Sequence, residues 1–184
     1  MRISYQAKRR KRYKLLNKWR PFLTHTLITG DTNVQPLSPG DRGFFLEEWN
    51  RLFGTVRGDH LEVLVRLAHR LRVGYFARRS LNRKNMRVRL FAILTLGHMR
   101  EYAAWDELVD LLKHPHSILS LTAARSLMWI DAKNAIGLIM PYILNRNDWP
   151  WSNIAHILKQ ASPDDVCEIL SEAAKLAPRI GKLV

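Results

Sequence analysis

Side chains that could bind phosphate groups are concentrated near the start of the chain. The stretch "AKRRKRYKLLNKWRPF" (residues 7–22) contains eight Lys and Arg and no acidic residue. Such a run neutralises the phosphates of a nucleic acid or of anionic lipid headgroups, and aromatic residues among the cations suit the headgroup boundary of a membrane. The side chains predicted to contact a membrane or phosphate are Lys8, Arg9, Arg10, Lys11, Arg12, Lys14, Lys18, Trp19 and Arg20.

A second basic run lies further along the chain, and it shows that the net charge of +14 is unevenly placed. Residues 1–89 contain 21 Lys and Arg against 6 acids, whereas 9 basic residues face 10 acids from residue 90 onward. This asymmetry indicates a polyanionic partner for the first half of the chain. The predicted second basic patch consists of Arg78, Arg79, Arg83, Lys84, Arg87 and Arg89.

Patterns typical of catalysis or metal binding are weak. The sequence has no Walker loop, Rossmann glycine cluster, HExxH motif or paired CxxC. The histidines of "HPH" (residues 114–116) have no third ligand nearby, and Cys167 occupies a position that we expect to be buried core. We therefore predict a non-enzymatic protein with no catalytic residue, no metal site and no cofactor.

Length and composition indicate one ordinary domain with at most a tail. The single cysteine excludes an internal disulfide and points to a reducing compartment. The longest apolar run, residues 136–144, has nine residues, whereas a membrane-spanning helix needs about twenty. We expect no membrane-spanning segment in this sequence.

An internal repeat of 31 residues supplies the fold. "VRLFAILTLGHMREYAAWDELVDLL" (from residue 88) aligns without a gap on "LSLTAARSLMWIDAKNAIGLIMPYI" (from residue 119), and a third copy follows after another 31 residues. Each copy contains two apolar stripes at helical spacing, separated by a short polar turn. Paired helices that repeat at a fixed period bury their apolar faces by stacking on their neighbours.

The repeat resembles the short form of the HEAT-repeat family. "VRLFAILTLGHM" and "LSLTAARSLMWID" match its first helices, and "AAWDELVDLL" and "NAIGLIMPYIL" match its second helices. The resemblance implies an all-α, HEAT-like α-solenoid of stacked antiparallel helix pairs. An N-terminal capping helix is expected before it, where aromatic residues recur at helical spacing in "FFLEEWNRLF" (residues 44–53).

In such folds the second helix of each pair lines the concave face, and here those helices are acidic. Phosphates would be repelled by them, so we expect a basic segment of a protein partner on this face. The resemblance also includes alkylpurine DNA glycosylases, which leaves a distant enzyme interpretation of "WDELVD" (residues 105–110). The predicted protein-binding residues are Asp106, Glu107, Asp110, Asp164, Asp165, Glu168 and Glu172.

These features divide the chain into five predicted parts. They are a basic juxtamembrane-like segment over residues 1–28, a linker over 29–43, the capping helix over 44–60, the repeat solenoid over 61–176 and a C-terminal tail over 177–184.

The order of the parts is similar to that of bacterial proteins in which a basic juxtamembrane segment leads through a proline-rich linker into a HEAT domain. The shared stretches are "KRRKRYKLLNKWRPFL", "DRGFFLEEWNRLF", "TLGHMREYAAWDELVDLL" and "DWPWSNIAHILKQ". In those proteins a transmembrane helix precedes the basic run, so we expect either a peripheral anchor or a chain trimmed at Met1. The resemblance implies a scaffold beside a polysaccharide-making glycosyltransferase.

Together these observations predict a scaffold on the cytoplasmic side, at the inner face of a bacterial cytoplasmic membrane. Anionic lipid would hold residues 2–20, and a protein partner would bind the solenoid. The alternative is a nucleic-acid-binding HEAT-like protein that uses both basic runs. Binding that disappears with the N-terminal segment favours the membrane, whereas binding to DNA that survives its removal favours the alternative.

Overall fold

The computed structural model describes the backbone of residues 2–161, 163, 167 and 171, and within that set the side chains of Arg10 and of residues from Tyr13 onward. The chain forms two compact units, residues 1–99 and 100–184. Regular secondary structure at the described positions is helical throughout. In the first unit the helices are α1 (Arg2–Thr29), α2 (Arg42–Phe53), α3 (Asp59–Arg70), α4 (Val73–Ser80) and α5 (Met86–His98).

The second unit is also helical where it is described. A short 3₁₀ turn (Tyr102–Ala104) leads directly into its first α-helix. The α-helices are α6 (Trp105–Leu112), α7 (Ser117–Ile130), α8 (Ala132–Asn145) and α9 (Trp151–Leu158).

Helix α2 is the centre of the first unit, where it packs against α1, α3 and α5. Phe45, Leu46 and Trp49 lie at helical spacing on α2 and are fully buried. The indole Nε1 of Trp49 donates to the carbonyl oxygen of Leu64 at 3.0 Å, which ties α2 to α3. The neighbouring helix α4 packs against α3 and α5 and completes this arrangement of paired helices.

Helix α1 is continuous over 28 residues, and the buried positions among its described side chains lie in its C-terminal half. Leu16, Trp19, Leu23 and Thr26 are separated by three, four and three residues, so they share one helix face. That face is buried in the unit, where α1 packs against α2 and α3. Gly30 ends the helix: at φ +70° it adopts the left-handed conformation, and its N–H donates to the carbonyl oxygen of Thr26 at 2.8 Å.

The stretch between α1 and α2, residues 30–41, coincides with most of the predicted linker. Helix α2 begins at Arg42 and ends at Phe53, so it is shorter than the capping segment predicted over 44–60. The chain then turns at Gly54, whose N–H donates to the carbonyl oxygen of Asn50 at 3.1 Å. The helix therefore stops at the glycine rather than continuing toward α3.

Helix α7 is the centre of the second unit and packs against α6, α8 and α9. Only Asp131 separates α7 from α8, and its Oδ1 accepts a hydrogen bond from the backbone N–H of Asn134 at 3.1 Å. This N-cap lets the chain reverse within one residue and start the next helix at once. The predicted all-α fold of packed, HEAT-like helix pairs is confirmed.

Burial follows the predicted repeat in its first two copies and weakens in the third. Ala92 and Ala123, which occupy the same column, are fully buried, and Ile154 in the third copy is nearly so. The next column ends in Ala155, which is exposed. Cys167 is exposed as well, so the expectation that it is buried core was wrong. Sequence spacing identifies a helix face, but it does not show which neighbour covers that face.

Candidate binding surfaces

The N-terminal half of α1 presents the predicted cations on a helix. Five consecutive cations occupy positions 8–12 of this helix. Among the described side chains of this half, Arg10, Tyr13 and Lys14 are exposed. Exposed cations such as Arg10 and Lys14 attract an anionic surface electrostatically.

Three side chains predicted to contact a membrane or phosphate contact α2 or its N-cap residue Asp41. Trp19 is only 4% exposed and meets the ring of Phe45 edge-on at a centroid distance of 5.2 Å, so it was wrongly predicted as a surface contact. The Nζ of Lys18 lies 2.7 Å from the carboxylate of Asp41. Cations and aromatic residues look alike in sequence whether they face a membrane or pack one helix on another.

The third of these side chains, Arg20, binds the most buried carboxylate of the first unit among the described residues. Its Nε and Nη2 donate to Glu48 at 2.8 and 3.1 Å, and the Nε of Arg51 donates to the same carboxylate at 3.0 Å. Burial alone would raise the pKa of Glu48, whose side chain is 1% exposed. The hydrogen bonds from the two arginines outweigh that effect and lower the pKa below its usual range.

Half of the predicted second basic patch, namely Arg78, Arg87 and Arg89, does not line a common cavity, whereas the other half does. Arg87 pairs with Glu47 at 2.6 Å, and the Nε of Arg89 is buried without a hydrogen-bond partner among the described residues. Arg78 is exposed on α4. The remaining three members line one cavity together with Arg42, which was not predicted; they are Arg79, Arg83 and Lys84.

The predicted acidic protein-binding face is described only on α6. Asp106 and Asp110 are four residues apart and both exposed, while Glu107 is half-buried. The carboxylate of Asp110 accepts a hydrogen bond from the Nζ of Lys113 at 3.2 Å. This pair is exposed and therefore weak, so the carboxylate remains accessible to a basic segment. The other predicted members, Asp164, Asp165, Glu168 and Glu172, lie outside the described residues.

Arg146 is a structural residue that the sequence reasoning missed. It follows α8, and its guanidinium donates to the carbonyl oxygens of Leu112 and His114 at 3.3 and 2.9 Å. Asp148 accepts two further bonds from it, at 2.9 and 2.7 Å, and these lower the pKa of Asp148. Arg146 thus caps the C-terminal end of α6 from a later loop. The "RND" stretch after α8 indicates the Arg146–Asp148 pair, but no sequence pattern indicates the bonds of Arg146 to the carbonyl oxygens of Leu112 and His114.

Other features of the described residues bear on function. The N–H of His116 donates to the Nδ1 of His114 at 3.0 Å, which makes the "HPH" stretch a local turn. Within the part of the chain that the structure describes, no three His, Cys, Asp or Glu side chains are grouped as metal ligands would be. No helix in that part is both long and apolar enough to cross a bilayer.

The family model of HEAT repeats matches residues 78–155. Comparison with curated proteins and with solved structures gives no match. HEAT repeats generally act as protein-interaction scaffolds, and the family is typically non-enzymatic.

Proposed function

We propose that this HEAT-repeat protein is a non-enzymatic scaffold that holds a protein partner against an anionic membrane surface. The observation that carries the proposal is the difference between the two halves of α1. Its C-terminal half is fixed to α2 through Trp19 and Arg20, whereas the described cations Arg10 and Lys14 of its N-terminal half are exposed. A charged helix end that continues into a packed helix couples membrane attachment to the position of the first unit.

The protein partner would bind through the HEAT repeats. The exposed carboxylates of Asp106 and Asp110 on α6 favour a basic segment, since opposite charges across an interface speed encounter and select the partner. We further propose that the partner is a polysaccharide-making glycosyltransferase at the inner face of a bacterial cytoplasmic membrane. That last step rests on the sequence resemblance of the basic segment, the linker and the repeat domain.

The proposal is tested by sedimentation of the full chain with liposomes of phosphatidylcholine alone or mixed with phosphatidylglycerol. In the test variant, Lys8, Arg9, Arg10, Lys11 and Arg12 are each replaced by Gln. Each cation near an anionic surface contributes about 1 kcal/mol, and about half of a cationic helix can face the bilayer at once. We therefore expect the variant to bind anionic liposomes about 100-fold more weakly.

A matched control loses the same charge elsewhere, at the exposed cations Arg57, Arg66, Arg70, Arg125 and Lys133. Its liposome binding should change by less than about threefold, because these cations do not belong to the N-terminal run. Equal losses in the two variants would show that only net charge matters and would contradict the proposal. Preference of the intact chain for duplex DNA over liposomes would favour the nucleic-acid alternative instead.

A further inference from the structure

The first unit contains a cavity of about 590 Å³ between the start of α2, the end of α4 and the loop into α5. Ligand pockets in proteins commonly measure about 300–1,000 Å³, so a small molecule fits this space. Four cationic side chains line the cavity, and its lining includes no carboxylate. These cations are Arg42, Arg79, Arg83 and Lys84.

Three acidic residues of this unit bind cations that do not line the cavity. Asp41 binds Lys18, Glu47 binds Arg87, and Glu48 binds Arg20 and Arg51. In contrast, Arg83 and Lys84 are exposed and have no ion pair within the described part of the chain. The cavity therefore concentrates positive charge that the protein itself leaves uncompensated.

Arg42 supplies a second observation that points to an anion. Its Nε is buried and has no hydrogen-bond acceptor among the described residues, and its guanidinium lies 5.6 Å from the ring centroid of Phe76. A buried N–H without an acceptor is costly, and Arg42 lines the cavity, so an anion bound there would meet its guanidinium group. Stacking on Phe76 also limits the side-chain motion that binding would otherwise have to freeze.

Backbone dipoles add to the charge of the side chains. Arg42 and Gly43 form the first turn of α2, whose N-cap residue Asp41 makes no side-chain cap bond. The N-terminus of a helix of this length carries a partial positive charge and unpaired N–H groups. The first turn of α2 therefore reinforces the cations at the wall of the cavity where Arg42 lies.

We propose that this cavity binds a compact phosphorylated anion of diphosphate size. Arg42, Arg79 and Arg83 would donate in pairs to phosphate oxygens, as guanidinium groups do, and Lys84 would add a point charge. The volume exceeds the need of one inorganic phosphate, which favours a ligand with at least two phosphoryl groups or a phosphate ester. Both a soluble diphosphate and a phosphorylated lipid headgroup present this chemistry.

Isothermal titration calorimetry of the full chain with inorganic pyrophosphate tests the proposal. The variant with Arg83→Gln and Lys84→Gln removes two exposed cavity cations, and it should bind pyrophosphate at least about tenfold more weakly. The control variant with Arg66→Gln and Arg70→Gln loses the same charge on α3, outside the cavity, and should bind within about twofold of the parent chain. Circular dichroism of each variant verifies that the fold is intact.

Absence of pyrophosphate binding at millimolar concentration, or an equal loss in both variants, would overturn the proposal. To separate the two ligand sources, the five-Gln α1 variant is sedimented with phosphatidylcholine vesicles containing a phosphorylated inositol lipid. If the variant binds these vesicles and pyrophosphate displaces it, the cavity binds a lipid headgroup. If the chain binds pyrophosphate but the variant does not bind the vesicles, the cavity binds a soluble ligand. Either result supports the phosphate site, and it does not depend on whether α1 attaches the chain to membranes.

Discussion

Replacing the buried carboxylate of Glu48 by the amide in Glu48→Gln should loosen α1 from the first unit. The glutamine has the same shape, so packing around it is kept and only the charge is removed. Glu48 is the site where a cation of α1, Arg20, meets a cation of α2, Arg51. The substitution therefore tests whether this carboxylate is what fixes the basic helix in place.

The structure sets the size of the effect. Hydrogen bonds to a buried charged group contribute about 1.5–3 kcal/mol each, and Glu48 accepts three of them, at 2.8, 3.1 and 3.0 Å. Roughly half of each arginine side chain is exposed, so water replaces part of what is lost. We expect Glu48→Gln to reduce the free energy that holds α1 by about 2 kcal/mol, which raises the opened population about 30-fold.

Hydrogen exchange measured by mass spectrometry reports this opening directly, because amides of α1 exchange when the helix detaches and frays. Peptides covering residues 13–29 should lose protection, while peptides from α7 should keep it. The control is Glu62→Gln. The Glu62 carboxylate is 76% exposed and lies 3.7 Å from Arg66, a long and therefore weak ion pair, so its removal should leave α1 protection unchanged. Unaltered protection of α1 in Glu48→Gln would refute the reasoning.

The lowered pKa of Glu48 predicts how the stability of the protein depends on pH. The pKa of Glu48 is lowered in the folded protein, so its contribution is fully present above the unfolded value of about 4.3 and is lost as pH falls through the folded pKa. The difference in urea stability between the parent chain and Glu48→Gln should therefore be constant near neutral pH. It should shrink below about pH 4, and a difference that persists there would contradict an electrostatic origin.

Three further substitutions test other contacts. Trp19→Ala should lower the free energy that holds α1 by about 3–5 kcal/mol. Trp19→Phe should be tolerated, because the indole Nε1 has no acceptor among the described residues. Hydrogen exchange of α1 amides distinguishes the two variants. Thr95→Val removes the acceptor that lies 2.7 Å from Asn50 Nδ2 and should cost about 1 kcal/mol in urea unfolding. Arg146→Gln should lower the stability of the second unit by about 2–3 kcal/mol in thermal unfolding, whereas Lys133→Gln at an exposed position should not.

The helix pairs could be predicted from sequence because burial repeats with a fixed period. Ala92 and Ala123 lie 31 residues apart and are both fully buried. The same reasoning failed at Cys167, because periodicity assigns a face without identifying the neighbour that covers it. Local sequence patterns thus predicted the helices, whereas the neighbours that bury each helix face could be identified only from the structure.

The binding surfaces were harder to predict because a sequence does not show which acidic residue pairs with a given Lys or Arg. Lys18 and Arg20 belong to the same basic run as Lys14, yet their acids lie 23 and 28 residues away in the chain. No local pattern indicates such pairs. Arg42 was missed for the converse reason: it stands alone in sequence, 37 residues before Arg79, and only the fold brings both to the wall of one cavity.

The sorting of cations into paired and unpaired groups has a consequence for salt dependence. Ion pairs with a buried member, such as Arg20 with Glu48, are screened only weakly by added salt, whereas exposed cations lose most of their attraction to a surface within a Debye length of about 8 Å. Raising the ionic strength should therefore release the chain from anionic liposomes while exchange protection of α1 residues 13–29 remains. Loss of both together would mean that α1 is held in place by the membrane rather than by α2.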